Sequence, residues 1–289
     1  MSRSFWQIRG RTLALNHPLV MGIVNVTPDS FSDGGEFFAP DAAIAHGARL
    51  LAEGADILDV GGQSTRPHVT ESVTAEEEAR RVVPVIGALA RAHPGAVLSV
   101  DTVNAAVAVA AIEAGAHIVN DVSGLRLDPA MTTVCAAERV GVVVMHSRGG
   151  VADMATYEHA DYGNNFLQTM LSELRERVRQ VELGGVVREH IAVDPGIGFA
   201  KRPEQSLRVL ACLTRLVEWG YPVLVGASRK RFIGQLTGEA RPARRVYGSV
   251  AAAVAAYERG ASVLRVHDVA ATRAALDVAA AIRIAGDAS

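Results

Sequence analysis

The chain has 289 residues, 49% hydrophobic, 21% charged and 5% aromatic, with 27 glycines and 11 prolines. This is the composition of a globular protein and excludes collagen, coiled coil and a disordered chain. Lysine plus arginine (29) nearly balance aspartate plus glutamate (31), giving a net charge of −2, which argues against nucleic acid as partner but leaves room for local clusters that bind a small anion.

The length allows two small domains or one large α/β barrel. Cys135 and Cys212 fall in helical patterns without CxxC or Cys/His spacing, so neither a disulfide framework nor a zinc site is expected and a reducing cytosol fits. The first ten residues carry Arg3, Trp6 and Arg9 with no apolar core, which does not read as a signal peptide. No apolar run approaches the roughly 18 residues that span a bilayer. A soluble, cytoplasmic protein is expected.

In chain order, Ser4 to Leu15, with Arg9-Gly-Arg near its middle, predicts a short β-hairpin. Strands are then predicted at Leu19–Val26, Asp56–Val60, Val97–Val100, His117–Asn120, Val142–Met145, Ile191–Val193, Val223–Val225 and Val263–Val266. Most are continuously apolar, as expected of parallel strands covered on both faces. Amphipathic helices lie between them. One opens on Thr74-Ala-Glu-Glu77, a capping box. Another places Leu167, Met170, Leu171, Leu174, Val178 and Val181 on one stripe, with Glu173, Arg175, Glu176 and Arg177 opposite. Helices close on glycine before the next strand, at Gly54, Gly115, Gly141, Gly220 and Gly260, where a left-handed residue turns the chain back. Eight βα units without a linker predict an α/β protein with one (β/α)8 TIM barrel: a single domain over 1–289, with the hairpin in 1–17 and the barrel in 18–285. A doubly wound sheet is the competing architecture.

In a barrel the carboxyl ends of the strands share one face. Those ends carry Asn25, Thr27 and Asp29; Gln63, Ser64, Thr65 and Arg66; Asp101; Asn120 and Asp121; His146 and Arg148; Asp194; Ser228, Arg229, Lys230 and Arg231; and Arg265, His267 and Asp268. Loops are polar in any protein, but that alone does not put Asp, Asn or Arg so often at the last strand position. The set divides by chemistry. Arg66, Arg229, Lys230, Arg231, Arg265 and His267 suit a phosphate or diphosphate. Asp101, Asn120 and Asp194 suit a planar heterocycle with amino and ring N–H donors. The segment Asp194-Pro-Gly-Ile-Gly-Phe-Ala-Lys201 fails as a dinucleotide fingerprint because Lys201 stands at the third glycine position. His146 reads as a structural or site-lining residue, and Met145 and Phe199 as core or pocket wall. Ser64 and Ser228 have no obvious base, which disfavours a Ser–His hydrolase.

Met21-Gly-Ile-Val-Asn-Val-Thr-Pro-Asp-Ser-Phe-Ser-Asp-Gly-Gly35 resembles the first signature of the dihydropteroate synthase family, and Asp56-Ile-Leu-Asp-Val-Gly-Gly-Gln-Ser-Thr-Arg-Pro67 the second. Ser99–Thr102, Ile118–Gly124, Met145-His146, Asp194–Phe199, Gly226–Lys230 and Leu264–Val269 complete the set in order. The resemblance implies a transferase that joins a dihydropterin methyl diphosphate to 4-aminobenzoate in folate biosynthesis, acting as a homodimer. It implies that Asn25 contributes to a Mg²⁺–diphosphate site. Thr65, Asp101, Asn120, Asp194, Lys230, Arg265, Val266 and His267 would hold the pterin diphosphate. Of these, Asp101, Asn120, Asp194 and Lys230 would face the ring, while Arg265 and His267 would meet the diphosphate. Catalysis would rest on Asp101, Asp194, Lys230 and His267. Thr65, Arg66, Pro67, Phe199 and Lys230 would surround 4-aminobenzoate. The chain departs from the family pattern at Gln63, usually Glu, and at Arg231, often Ser. The same superfamily offers two alternatives, a methyltetrahydrofolate methyltransferase and a pterin-binding paralogue without turnover. The cationic Ser228–Lys230 and Arg265–His267 segments argue against the first, and the intact Asn25, Asp101, Lys230 and His267 against the second. A helix over about Arg241–Arg259, with Val246, Val250, Val254 and Tyr257 on one stripe, is a candidate dimer face or a core stripe.

Overall fold

The computed structural model describes residues 4–27, 39–63 and 73–287. Thr65, Arg66 and Pro67, with Asp29 and Ser64, lie outside them. The hairpin forms as expected: β1 (Phe5–Ile8) pairs antiparallel with β2 (Arg11–Ala14). Eight parallel strands follow, each but the last leading into helix and next strand: β3 (Leu19–Asn25), α1 (Ala39–Ala52), β4 (Ile57–Gly61), α2 (Ala75–Ala92), β5 (Val97–Asp101), α3 (Ala105–Ala114), β6 (Ile118–Asp121), α4 (Met131–Glu138), β7 (Gly141–Met145), α5 (Phe166–Leu183), β8 (Ile191–Asp194), α6 (Pro203–Ala211) and α7 (Thr214–Val217), β9 (Leu224–Val225), α8 (Arg231–Thr237) and α9 (Val246–Glu258), β10 (Val263–Val266) and α10 (Val269–Asp287). The sheet order is β8-β7-β6-β5-β4-β3-β10-β9. A parallel bridge between Val193 and Val223 joins the two ends and closes a barrel. A doubly wound sheet has no such closure.

Strand periodicity sorts the side chains. Outward residues such as Val20, Leu58, Leu98, Val119, Val142, Val193 and Leu264 pack with the helices in the main core. Inward residues Leu19, Met21, Ile57, Val97, Ile118, Val143, Ala192, Leu224 and Val263 fill the barrel floor. The hairpin plugs that floor: Trp6 and Ile8 are buried in the same cluster, and the Trp6 indole N–H donates to His190 O at 2.8 Å. The opposite end is left for polar side chains.

Local signals behave as the sequence predicts, with two differences. Thr74 Oγ1 accepts from the Glu77 amide at the start of α2, and Gly54, Gly115, Gly220 and Gly260 are left-handed. At Gly141, however, the left-handed residue is Arg139, the C-cap of α4. Gly141 is instead a strand residue, and a Cβ there would stand 2.6 Å from Ile8 Cγ2, so it is small to admit the plug. On α5 the apolar stripe is buried as predicted, but Glu173 and Arg177 do not face solvent. Glu173 reaches His146 and Arg148, and Arg177 reaches the carbonyls of Met145 and Ser147. On α9, Tyr257 is core and Tyr247 is 90% exposed.

Candidate active site

A cavity of about 600 Å³ opens at the carboxyl ends of the strands, lined among others by Asn25, Asp101, Lys230, Arg265 and His267. The inward positions one step above the apolar floor supply its base. Because β4 turns Ile57 inward, it also turns Asp59 inward, and Asp59 is fully buried. The sequence reading gave Asp59 no role. The signal was present as a lone carboxylate inside an otherwise apolar strand.

Asp59 organises the base of the site. Its Oδ2 accepts from Arg265 Nε at 2.6 Å and from Asn120 Nδ2 at 2.9 Å, while Arg265 Nη2 donates to Asp101 Oδ2 at 2.6 Å. Two carboxylates, Asp59 fully buried and Asp101 partly so, thus share one guanidinium. Asn120 gives one amide N–H to Asp59, which fixes the amide and leaves its oxygen and its second N–H. Arg265 is therefore held at the base by carboxylates. Burial pushes Asp101 up to about 7 against the pull of Arg265, with Asp59 adding to the rise. Burial likewise opposes the charge on Arg265, but Asp59 and Asp101 outweigh it and raise its pKa.

Asp194 ends β8 beside this group. Its Oδ1 accepts from the Gly196 amide at 2.6 Å. Burial raises it to about 6, opposed by that hydrogen bond and by Lys230, Lys201 and Arg265. The Lys230 ammonium sits 4.1 Å above the Phe199 ring, and burial, helped by Arg265, lowers it to about 8. Phe199 belongs to a small apolar cluster with Val103, Val122, Met145 and Met154 at the barrel mouth. Phe199 and Met145 are thus core of that cluster, and the Phe199 ring underlies Lys230, which lines the cavity. The Val266 side chain lies in the helix-facing core, so only its backbone can face a ligand.

The cations are less free than the sequence suggests. Arg229 pairs with Asp268, Nη2 to Oδ1 at 2.6 Å, and Arg148 with Glu173. Arg231 donates to Ala155 O at 2.6 Å and lies 4.3 Å over the Tyr157 ring. Arg245, which the sequence reading passed over, donates to the carbonyls of Arg229, Glu239 and Ala240 and fixes the backbone beside Lys230. Ser228 does have a histidine: its Oγ is 3.0 Å from His267 Nδ1 and also accepts the His267 amide at 3.2 Å. Both bonds come from one residue, so the serine sets the His267 ring. Asp121 turns away from the cavity, capping the Ser123 amide at 2.7 Å.

Residues 21–267 match the model of the pterin binding enzyme family. The chain belongs to that family. It is 44% identical over 254 residues, 86% of this chain and 85% of the relative, to dihydropteroate synthase of Synechocystis sp.. It is 43% identical over 251 residues to that of Bacillus subtilis, covering 87% of this chain and 84% of the relative. Among solved structures, Xanthomonas albilineans dihydropteroate synthase with 4-aminobenzoic acid superposes with a TM-score of 0.90 at 48% identity, over 98% of this chain and 99% of that one. The same organism's enzyme in complex with 7,8-dihydropteroate gives 0.86 at 46% identity, over 96% and 98%. Asp101, Asn120 and Asp194, which the sequence marks as candidate ring acceptors, stand at the carboxyl ends of β5, β6 and β8.

Proposed function

We infer that the protein condenses (7,8-dihydropterin-6-yl)methyl diphosphate with 4-aminobenzoate, giving 7,8-dihydropteroate and diphosphate in folate biosynthesis. The observation that carries this is the polar base of the cavity, where Asp101 and Lys230 line it, Asn120 is tied to Asp59, and Lys230 and Arg265 act electrostatically on Asp194, in a chain 46% identical to an enzyme solved with 7,8-dihydropteroate. Ionised Asp101 and Asp194 suit paired N–H donors of the ring, each charge-assisted bond contributing about 1.5–3 kcal/mol.

The reaction is a substitution at the exocyclic CH₂. The C–O bond to diphosphate breaks, the amine nitrogen forms the new C–N bond, and the amine loses a proton. An electron-rich dihydropterin supports positive charge at that carbon, and the Asp101 and Asp194 carboxylates favour it electrostatically. No protein nucleophile is needed. His267, oriented by Ser228, faces the leaving group, and Lys230 with Phe199 forms the wall for 4-aminobenzoate.

Mg²⁺ is the cofactor in this reading. The donors at the mouth fit it in a limited way: Asn25 offers a neutral hard oxygen, and among the described residues no cluster of carboxylates or histidines that could hold a metal includes it. Such a site holds Mg²⁺ only when substrate phosphate oxygens complete the shell, which is this ion's usual mode. When bound it neutralises charge on diphosphate. Thr65, Arg66 and Pro67 enter on the family resemblance alone. A homodimer and the cytoplasm are proposed with them. The exposed Tyr247, Val278 and Ile282 are compatible with an interface, and no helix of the described residues is long and apolar enough to cross a membrane.

The deciding experiment mixes purified protein, both substrates and Mg²⁺, following dihydropteroate by chromatography and diphosphate by a coupled assay. Equal formation of both is expected. Diphosphate without dihydropteroate would make the protein a hydrolase and overturn the reading.

A further inference from the structure

The chain contains two lysines against twenty-seven arginines, and both lysines line this cavity. Lys230 is absorbed by the proposed function. Lys201 is not, although it is 1% exposed and among the largest fully buried side chains. Its Nζ lies 2.8 Å from His146 Nδ1, 3.1 Å from Phe199 O and 3.4 Å from His146 O. An ammonium has three donors and no acceptor, and here it meets three acceptors.

The histidine tautomer follows from the far end of the same chain. Glu173 Oε2 is 2.9 Å from His146 Nε2, and the two oxygens of Glu173 also take Arg148. Against the upward push of burial, these bonds hold Glu173 at about 2, so it is a carboxylate. Burial, then Lys201, hold His146 down at about 3, so it is neutral. Nε2 therefore carries the proton that Glu173 accepts, and Nδ1 presents its lone pair to Lys201. An arginine fork does not fit this one-atom socket. The groups around Lys201 are Asp194 from β8, Glu173 and Arg177 from α5, and Arg148 after β7. Burial lowers its pKa and Asp194 opposes that.

The socket sits under the turn that carries the site. His146 N donates to Asp194 O at 2.9 Å. Gly196, left-handed with φ +68°, presses so close that a Cβ would lie 1.9 Å from His146 O. Arg148 lies 3.7 Å over the Tyr162 ring, and Tyr162 donates to Ala200 O at 3.0 Å. The chain Lys201–His146–Glu173–Arg148–Tyr162–Ala200 thus closes on the residue before Lys201.

We propose that Lys201 is a positioning residue for the transfer: from beneath, its ammonium fixes the Asp194–Phe199 turn, and with it the ring-facing carboxylate and the aromatic face under Lys230. This rests on the transferase reading. The three donors of the ammonium are directed at His146 and Phe199. It acts by holding the turn in one geometry and by placing positive charge near Asp194.

The test compares wild type with Lys201→Met, which keeps the length and removes the donors, and with Glu173→Gln, which reaches the same chain from its half-exposed end. Misplacing a reacting group by about 1 Å can cost about 100-fold in rate. Lys201→Met is expected to lose that much kcat/KM, and the acidic limb of its pH profile should move to higher pH because Asp194 loses a nearby cation. Glu173→Gln should shift the limb in the same direction by less. Amide hydrogen exchange across 195–200 should quicken in both. A well-folded Lys201→Met with wild-type kcat/KM and an unmoved limb overturns the proposal. If Lys201→Met does not fold, an unmoved limb and unchanged exchange in Glu173→Gln overturn it instead. A wild-type enzyme that forms no dihydropteroate defeats the transferase reading, and the exchange measurement still reads the hold on the turn.

Discussion

Arg265 Nε and Asp59 Oδ2 stand 2.6 Å apart inside the barrel, joining β10 to β4 across β3. Asp59 also fixes Asn120, so one carboxylate orients two groups at the base of the cavity. Removing one member of a buried ion pair costs about 3–5 kcal/mol because the other charge is left behind. Asp59→Ala is expected to lower stability by the smaller part of that range, since Arg265 keeps Asp101, and to weaken pterin diphosphate far more than 4-aminobenzoate. Denaturant unfolding and calorimetry measure the two effects. Equal losses for both ligands would place Asp59 outside ring recognition.

The same geometry separates Arg265 from His267. Arg265→Ala should weaken pterin diphosphate and the pterin alcohol alike, because it disturbs Asp101 and Asp59 beneath the ring. His267→Ala should weaken the diphosphate selectively. The sequence alone expects selectivity from both. Titrating each variant with both ligands decides it: a diphosphate-only loss in Arg265→Ala would mean that the guanidinium leaves its carboxylates when substrate binds.

Asp194→Asn keeps size but exchanges a carboxylate oxygen for a donor facing ring N–H groups. A loss of roughly 2–4 kcal/mol in transition-state stabilisation is expected, from one or two charged hydrogen bonds and a mispaired donor. Steady-state kinetics of the folded variant measure it, and an unchanged kcat/KM would sink the role given to Asp194.

Asp101 at about 7 and Asp194 at about 6 stand above the ordinary value of 3.8. The folded protein then holds these protons more tightly than the unfolded chain. Their contribution to stability is present at low pH and is lost as pH rises from about 4 to about 7. Relative to wild type, Asp194→Asn should therefore gain melting temperature as pH rises through that window. Ring N–H donors favour the ionised carboxylates, so pterin binding near pH 6 should release protons. Calorimetry in buffers of different ionisation enthalpy counts them, and an uptake or a zero count contradicts the acceptor assignment.

By the family resemblance Thr65 belongs to both the pterin-diphosphate and the 4-aminobenzoate sets, which links the two sites. 4-Aminobenzoate is expected to bind more tightly in the presence of Mg²⁺–diphosphate, by a coupling of typically about 1–3 kcal/mol. Equal affinities with and without it would indicate a preformed pocket.

The sequence by itself determined the barrel and its face. Continuous apolar strands, glycine stops and a polar residue at each strand end are local features, and the parallel (β/α)8 topology follows from their order. It placed Asp101, Asn120, Asp194, Lys230 and His267 at one mouth because they stand at or just after the carboxyl ends of the strands. What it could not decide was pairing. Whether Arg265 meets Asp59 or a phosphate, whether Arg229 is spent on Asp268, and whether Glu173 faces water or His146 depend on groups 206, 39 and 27 residues apart. Charge pairing acts through space over a few ångströms, so only the closed barrel, which brings β4 and β10 to one base, fixes which cation is free and which carboxylate is held.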